Sequence, residues 1–185
     1  MSEEPGGVRL WTGSTGELAV RGWQARVRQL LDASFGGDFA DTDWEHALGG
    51  WHAVALDSGR PVGHASVVPR TISVAGRGAL RAGYVEAVAT HPAYQGRGHG
   101  TRLMRAVASH LAGGYELGAL STGSSGFYER LGWRVWPGPT WVLTPTGPQR
   151  TAAEDGGVLV LTTPTTPVLD PTADIMCDWR IGDVW

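Results

Sequence analysis

Val85-Glu86-Ala87-Val88-Ala89-Thr90-His91-Pro92-Ala93-Tyr94-Gln95-Gly96-Arg97-Gly98-His99-Gly100-Thr101-Arg102-Leu103-Met104 is the stretch on which the fold turns. Residues 81–90 are rich in Val and Tyr and predict a strand. Leu103, Met104, Val107, Ala108 and Leu111 recur at helical spacing and predict a helix over 101–112, stopped by Gly113-Gly114. Between them lies a turn with three glycines, Gly96, Gly98 and Gly100. The first turn of a helix leaves main-chain N–H groups outside the helical ladder, and the helix dipole adds positive potential there. Glycines let that backbone approach an anion closely, and Arg97 adds a charge that can fork onto phosphate oxygens. No Gly-Lys-Ser/Thr follows, so this is not a P-loop, and the glycine spacing does not match the dinucleotide fingerprint G-x-G-x-x-G. The reading is an anion-binding strand–turn–helix unit, with a flexible connecting loop as the plain alternative.

Upstream, Trp23, Val27, Leu30 and Leu31 mark one face of a helix over 21–33. The segment from Asp32 to Glu45 then holds five acids (Asp32, Asp38, Asp41, Asp43, Glu45) and no Arg. Thr42 or Asp43 is expected to cap a short helix beginning near Trp44. Strands at 51–56, 64–74 and 81–90, separated by Gly-containing turns, predict an antiparallel meander. Downstream, strands are expected at 115–121, 133–136, 140–143 and 158–161, with a short helix at 127–131. Seven of the 11 prolines fall from Pro137 to Pro171, so 137–185 reads as loop-rich, and 1–16 reads as a loose lead-in. The layout is α+β in a single domain over 1–185.

Composition bounds the partners. A net charge of −3 and a pI near 6.0 do not suit a nucleic-acid binder. No apolar run approaches the ~18 residues of a membrane span. The acidic start Met1-Ser2-Glu3-Glu4 lacks the marks of a secretory signal, so a soluble, cytoplasmic protein is expected. All 15 basic residues are Arg. The single cysteine, Cys177, reads as packing, because its local charge is negative rather than activating. The six histidines lack metal-ligand spacing such as H-x-x-x-H, so no metal is expected.

The stretch from Val85 to Met104 resembles motif A of the GNAT acetyltransferases, in which Gln/Arg-x-x-Gly-x-Gly/Ala follows a strand and opens a helix. Phe127-Tyr128-Glu129-Arg130-Leu131-Gly132-Trp133 resembles a second stretch of that family, near the thiol end of the coenzyme. The resemblance implies a mixed, mostly antiparallel sheet of about six or seven strands flanked by helices on both faces. It implies acetyl-CoA as cosubstrate. Gln95, Gly96, Arg97, Gly98, His99, Gly100 and Thr101 would hold the pyrophosphate, with Val88, Ala89 and Thr90 pairing to the pantetheine arm and Gly126 and Phe127 completing the coenzyme contacts.

Acetylation of an amine needs a base to take the amine proton and an acid for the departing thiolate. Glu86, at the strand end leading into the turn, is the candidate base, directly or through water, against a solvent-facing carboxylate. Tyr128 is the candidate acid, against a packed aromatic. A closer resemblance, to the aminoglycoside 2′-N-acetyltransferases, is carried by several further stretches. They are Gly37-Asp38-Phe39, Thr42-Asp43-Trp44-Glu45-His46, Gly83-Tyr84-Val85-Glu86, Leu117-Gly118-Ala119-Leu120-Ser121, Pro145-Thr146-Gly147-Pro148, Met176-Cys177-Asp178-Trp179-Arg180 and Gly182-Asp183-Val184-Trp185. It implies an antibiotic-resistance enzyme in which Asp38, Asp43, Glu86, Ser121, Asp183 and the Trp185 carboxylate contact the aminoglycoside, with Ala87 contributing a backbone contact. Either Glu154 or Asp155 would add another charge, and 137–185 would complete the substrate site. A homodimer is also implied. Scattered carboxylates suit a polycationic sugar, although on charge alone two solvated acidic loops would read the same way. Two other readings stay open: a GNAT acetylase of a polyamine or peptide, and a binding module without turnover.

Overall fold

The computed structural model describes residues 7–185. Of the expected lead-in, residues 1–6 lie outside the described part. The rest is not loose: Arg9–Ser14 forms strand β1, and Thr15–Val20 forms helix α1. The helix starts because Ser14 and Glu17 make a reciprocal capping box, the Ser14 hydroxyl accepting from the Glu17 N–H while Glu17 Oε2 accepts from the Ser14 N–H at 2.8 Å. β1 escapes a pattern reading because four of its six residues are exposed, which leaves little apolar alternation.

The chain divides into two compact units. One comprises the residues up to Val68 together with Glu86–Val107; the other comprises Pro69–Val85 and Ala108–Trp185.

In the first unit, α1 is followed by α2 (Gln24–Ser34), α3 (Asp41–Ala47), β2 (Trp51–Asp57) and the start of β3 (Arg60–Val74). The end of β4 (Gly78–Thr90), a 3₁₀ turn at Pro92–Tyr94 and the start of α4 (His99–Gly114) complete it. β1 pairs antiparallel with β2, and β2 with β3 in a register from Trp51↔Val67 to Asp57↔Arg60. α2 buries Val27, Leu30 and Leu31, the face its sequence predicts. Val27 and Leu31 join Leu18, Phe39, Val54 and Ala89 in a core flanked by Trp11, Trp23 and Trp44. The Arg21 guanidinium lies 5.4 Å from the Trp11 ring centre and 5.2 Å from that of Trp23. α3 begins at Asp41 rather than near Trp44. Asp43 therefore sits inside its first turn, accepting the Ala40 N–H at 3.0 Å, in place of the outer cap expected of Thr42 or Asp43.

In the second unit the strand order is β6-β9-β5-β4-β3-β10-β7-β8. It uses β5 (Leu117–Ser121), β6 (Arg134–Val135), β7 (Thr140–Thr144), β8 (Gly147–Arg150), β9 (Val158–Thr162) and β10 (Ile175–Asp178), with α5 (Ser125–Glu129) between β5 and β6. β4 with β5 and β10 with β7 are parallel, and the other recorded pairings here are antiparallel. α4 packs closely on β5: a Cβ on Gly118 would stand 2.7 Å from Leu111 Cδ1, so any larger residue would push that leucine aside. The described residues contain ten strands rather than six or seven. β8 escapes a pattern reading because Gly147-Pro148 looks like a turn, yet proline is tolerated at a sheet edge, where β8 lies. No helix among the described residues is long and apolar enough to cross a membrane.

Candidate active site

The glycine turn leads directly into α4. Gly96 and Gly98 sit at φ +73° and +79°, a left-handed backbone that other residues adopt only with strain. A Cβ built on either meets nothing within 4 Å, so the space over the turn is open. The helical ladder of α4 begins with the Arg102 N–H donating to the Gly98 carbonyl at 3.1 Å. The N–H groups of His99, Gly100 and Thr101 precede that first rung and are available to a ligand at the positive end of the helix. Gln95 Nε2 donates to the Thr90 carbonyl at 3.1 Å and ties the turn to the strand end. Arg97 is exposed, its guanidinium 5.5 Å from the Tyr94 ring centre, and Tyr94 is fixed by a 2.6 Å hydrogen bond from its hydroxyl to Asp57 Oδ2.

Upstream of the turn, the backbone of β4 turns left-handed at one residue. Ala87 has φ +51°, an uncommon conformation for a residue with a Cβ, costing on the order of 1–3 kcal/mol. Side chains from β3 hold the carbonyls at that point: His64 Nδ1 lies 2.8 Å from the Ala87 oxygen, and the Ser66 hydroxyl donates to the Glu86 oxygen at 3.2 Å. A left-handed residue in mid-strand breaks the regular alternation of side chains, here next to the half-buried Glu86. Val88, Ala89 and Thr90 follow, with Ala89 buried and its neighbours half-buried.

The acids of the first unit fall into two groups. Asp32 and Asp41 both pair with Arg28, at 2.8 and 2.7 Å, so part of the acidic segment is neutralised from helix α2. Asp38, in contrast, is exposed on the loop between α2 and α3. Asp43 is half-buried and spends one oxygen on its own helix.

In the second unit, Ser121, at the end of β5, donates to Glu154 Oε2 at 3.3 Å. Asp155 is differently employed. It pairs with Arg150, and its Oδ1 accepts from the Thr140 N–H and hydroxyl at 3.0 and 2.9 Å. Arg150 first, then the Thr140 donors, hold its carboxyl far below the usual carboxylate range. Tyr128 lies in α5 with Gly126 and Phe127; burial pushes its phenol up to about 12, so it stays protonated at neutral pH. Phe127 and Trp133 contact its ring edge to face, at 5.0 and 6.4 Å. At the chain end, Asp183 is exposed and its carbonyl accepts from Arg180 Nε at 2.6 Å. Trp185 is buried, its indole N–H donating to Thr151 Oγ1 at 3.1 Å. Cys177 is buried under this tail with its thiol pushed up to about 11 by burial, and donates to the Val184 carbonyl. No group of three or more His, Cys, Asp or Glu among the described residues is arranged to hold a metal.

The structure thus brings Ser121 to Glu154, and Glu86 and Ala87 to the His64 and Ser66 side chains. Thr15, His52, His64, Arg28 and Arg70 were missed by sequence reasoning. Ser14-x-x-Glu17 was a readable signal for α1; for the others, no spacing in the sequence reveals the contact.

Comparison with known proteins gives the arrangement a family. The family described as acetyltransferase (GNAT) domain matches residues 23–136. An aminoglycoside 2′-N-acetyltransferase from Mycolicibacterium fortuitum is 48% identical over 163 residues, covering 86% of this chain and 83% of that protein. Among solved structures, a GNAT family N-acetyltransferase from Escherichia coli in complex with CoA aligns over 98% of this chain and 97% of its own, with 16% identity and a TM-score of 0.66. A probable N-acyltransferase from Enterococcus faecalis aligns over 70% of this chain at 17% identity with a TM-score of 0.59, and this chain spans only 33% of its length. At such identities the two structures speak to the fold alone.

Proposed function

The chain belongs to the GNAT acetyltransferase family, and from that premise we propose that it transfers the acetyl group of acetyl-CoA to the 2′-amino group of an aminoglycoside, conferring resistance. The observation that carries the reading is the turn itself. Two left-handed glycines with open space above them precede the N-terminus of α4, after strand β4. That cradle fits a diphosphate, so Gln95, Gly96, Arg97, Gly98, His99, Gly100 and Thr101 would hold the coenzyme there. The main chain of Val88, Ala89 and Thr90 would take the pantetheine amides in the manner of an added strand; in support, β5 pairs with β4 only over Ala82–Tyr84. Gly126 and Phe127 would add coenzyme contacts. When bound, the coenzyme supplies an acetyl thioester.

The remaining roles fall to the chain's own side chains. Glu86 takes the proton of the attacking ammonium, directly or through water, leaving a neutral amine. Tyr128 donates a hydrogen bond to the sulfur as negative charge develops there. A phenol near 12 is a weaker acid than a thiol near 8.5, so full transfer is uphill and Tyr128 acts mainly through its hydrogen bond to the departing thiolate. Asp38, Asp43, Ser121, Glu154, Asp183 and Trp185 orient the cationic sugar, with a backbone contact from Ala87. Of the two adjacent acids we assign this role to Glu154, because Asp155 is already engaged by Arg150 and Thr140. The transfer turns one ammonium into a neutral amide.

The whole chain serves as one catalytic domain in this reading, acting in the cytoplasm, where acetyl-CoA is made. It works as a homodimer without nucleic-acid or membrane partners. Exposed Leu143, Val168, Trp179 and Ile181 support self-association. The test is release of free CoA with paired aminoglycosides carrying an amine or a hydroxyl at the 2′ position, with NMR locating the acetyl group. Turnover only with the amine is expected. Equal rates for the pair would remove the regiospecific reading, and tight drug binding with no CoA release would leave a binding protein.

A further inference from the structure

We propose that Thr15, His52 and His64 form a buried hydrogen-bonded chain that positions Glu86, acting as positioning residues for the acetyl transfer by locking the left-handed backbone at Ala87 from behind. This rests on the reading of Glu86 as the base.

The chain runs through the interior of the first unit. Thr15 Oγ1 lies 2.8 Å from His52 Nε2, His52 Nδ1 lies 2.9 Å from His64 Nε2, and His64 Nδ1 lies 2.8 Å from the Ala87 carbonyl oxygen. Both rings are fully buried. Position 52 stands opposite Ser66 and position 64 opposite Val54, so the two histidines are diagonal neighbours on one face of the β2–β3 pair.

Only one set of protons fits these contacts with neutral rings. A carbonyl oxygen can only accept, so His64 carries its proton on Nδ1. Its Nε2 then accepts, which places the His52 proton on Nδ1 as well. His52 Nε2 accepts in turn, and the Thr15 hydroxyl donates to it at 2.8 Å, the shorter of its two options, the Gly50 carbonyl lying 3.3 Å away. Thr15 Oγ1 itself accepts from the Gly49 N–H at 3.0 Å. Burial favours the neutral form of both rings, and their pKa values are pushed down accordingly. Every donor along the path points the same way, toward β4.

That polarity separates positioning from proton conduction. The path ends on an amide oxygen, which has no proton to pass on, so nothing can be relayed to Glu86 through it. What the path does is fix a carbonyl. Ala87 holds a left-handed conformation in mid-strand, and such a conformation persists only where the surroundings over-determine it. His64 and Ser66 grip the two successive carbonyls at that place, and His52 and Thr15 fix the His64 ring in turn. The direction of the neighbouring Glu86 side chain depends on that backbone conformation. Thr15 opens helix α1, so the N-terminal segment takes part in aiming the base.

The first test is spectroscopic and independent of activity. Long-range ¹H–¹⁵N correlation at neutral pH is expected to show His52 and His64 as neutral Nδ1–H tautomers. An Nε2–H tautomer or an imidazolium at either ring overturns the chain. The second is a double-mutant cycle on kcat. His64→Leu keeps bulk but removes the donor, and a loss of tenfold or more is expected, with KM for acetyl-CoA within twofold. In the Glu86→Gln background the same change should cost less than twofold, because there is no base left to aim. His64→Asn, whose amide N–H can occupy the Nδ1 position, should recover part of the loss. Thr15→Val at the half-buried far end covers the case in which His64→Leu does not fold; a two- to fivefold loss with the same non-additivity is expected. Equal losses in both backgrounds, or unchanged kcat in a folded variant, would overturn positioning. An unchanged kcat for Glu86→Gln alone would instead remove the base assignment while leaving the tautomer result standing.

Discussion

The Arg70 guanidinium donates to the Val184 carbonyl at 2.5 Å across 114 residues of chain, and its Nε donates to Asp178 Oδ1 at 2.7 Å. The side chain is only 4% exposed and stacks on Tyr84, with its charge centre 5.0 Å from the ring. Arg70 thus pins the segment that carries Asp183 and Trp185. Arg70→Met is expected to destabilise the protein by about 2–4 kcal/mol, since one partner of a buried charged network is lost. It should also raise KM for the aminoglycoside more than KM for acetyl-CoA. Urea unfolding and steady-state kinetics check both; a stable variant with an unchanged aminoglycoside KM would show that the tail needs no pin.

Glu86→Gln should lower kcat by about 10²–10⁴, the usual range for loss of a general base, with aminoglycoside binding kept within a few-fold. Tyr128→Phe should cost less, about tenfold, because its phenol contributes mainly a hydrogen bond to the sulfur. Pre-steady-state CoA release together with calorimetric binding separates rate from affinity.

Gly98→Ala places a methyl group over the turn and forces an L-residue to φ +79°. The strain should cost roughly 1–2 kcal/mol of stability. If the coenzyme diphosphate occupies the open space, KM for acetyl-CoA should rise tenfold or more while aminoglycoside affinity is spared. A coenzyme KM that stays within twofold would mean the diphosphate lies elsewhere.

Glu154 and Asp155 are neighbours with opposite expected phenotypes. Glu154→Gln should raise the aminoglycoside KM several-fold and leave the melting temperature unchanged. Asp155→Asn should lower the melting temperature, because it breaks the Arg150 pair and the Thr140 contacts, and leave the KM within twofold. Thermal melts alongside kinetics distinguish the two, and an exchange of phenotypes would reverse the assignment.

Stability should fall on mild acidification. His52 and His64 are pushed by burial from the usual 6.5 to about 4 and about 3. The unfolded chain therefore binds protons below pH 6.5 that the folded chain refuses. Stability is complete above that pH and is lost as pH falls through the window from 6.5 to about 4, by up to about 2.7 kcal/mol per pH unit for the two rings. Urea midpoints at pH 7 and pH 5 should differ accordingly, and a flat profile across that interval would contradict neutral burial.

What the sequence discloses is local. The turn with Gly96 and Gly98 was legible because its glycines, preceding strand and following helix are contiguous, and the α2 face because Leu30 and Leu31 follow Val27 by about one helical turn. The sequence does not disclose contacts that depend on how strands register or where distant segments meet. His52 meets His64 only through the β2–β3 register, which includes an irregularity between Ala55 and Leu56. Arg28 approaches Asp41 from 13 residues away and removes two carboxylates from a run that reads as uniformly acidic. Arg70 meets the tail from β3. Glu154 and Asp155 are indistinguishable by spacing, and only the hydrogen bonds around them separate their tasks.

Arginine guanidinium groups lie 5.0–5.7 Å from the ring centres of Trp11, Trp23, Phe39, Tyr84, Tyr94, Tyr115 and Trp141, contacts to which a planar cation is well suited. With every cationic side chain of this kind, the 185 residues hold no lysine nitrogen. An enzyme that handles an activated acyl donor is thereby spared modification of its own side-chain amines, and amine-directed crosslinkers will find no foothold along them.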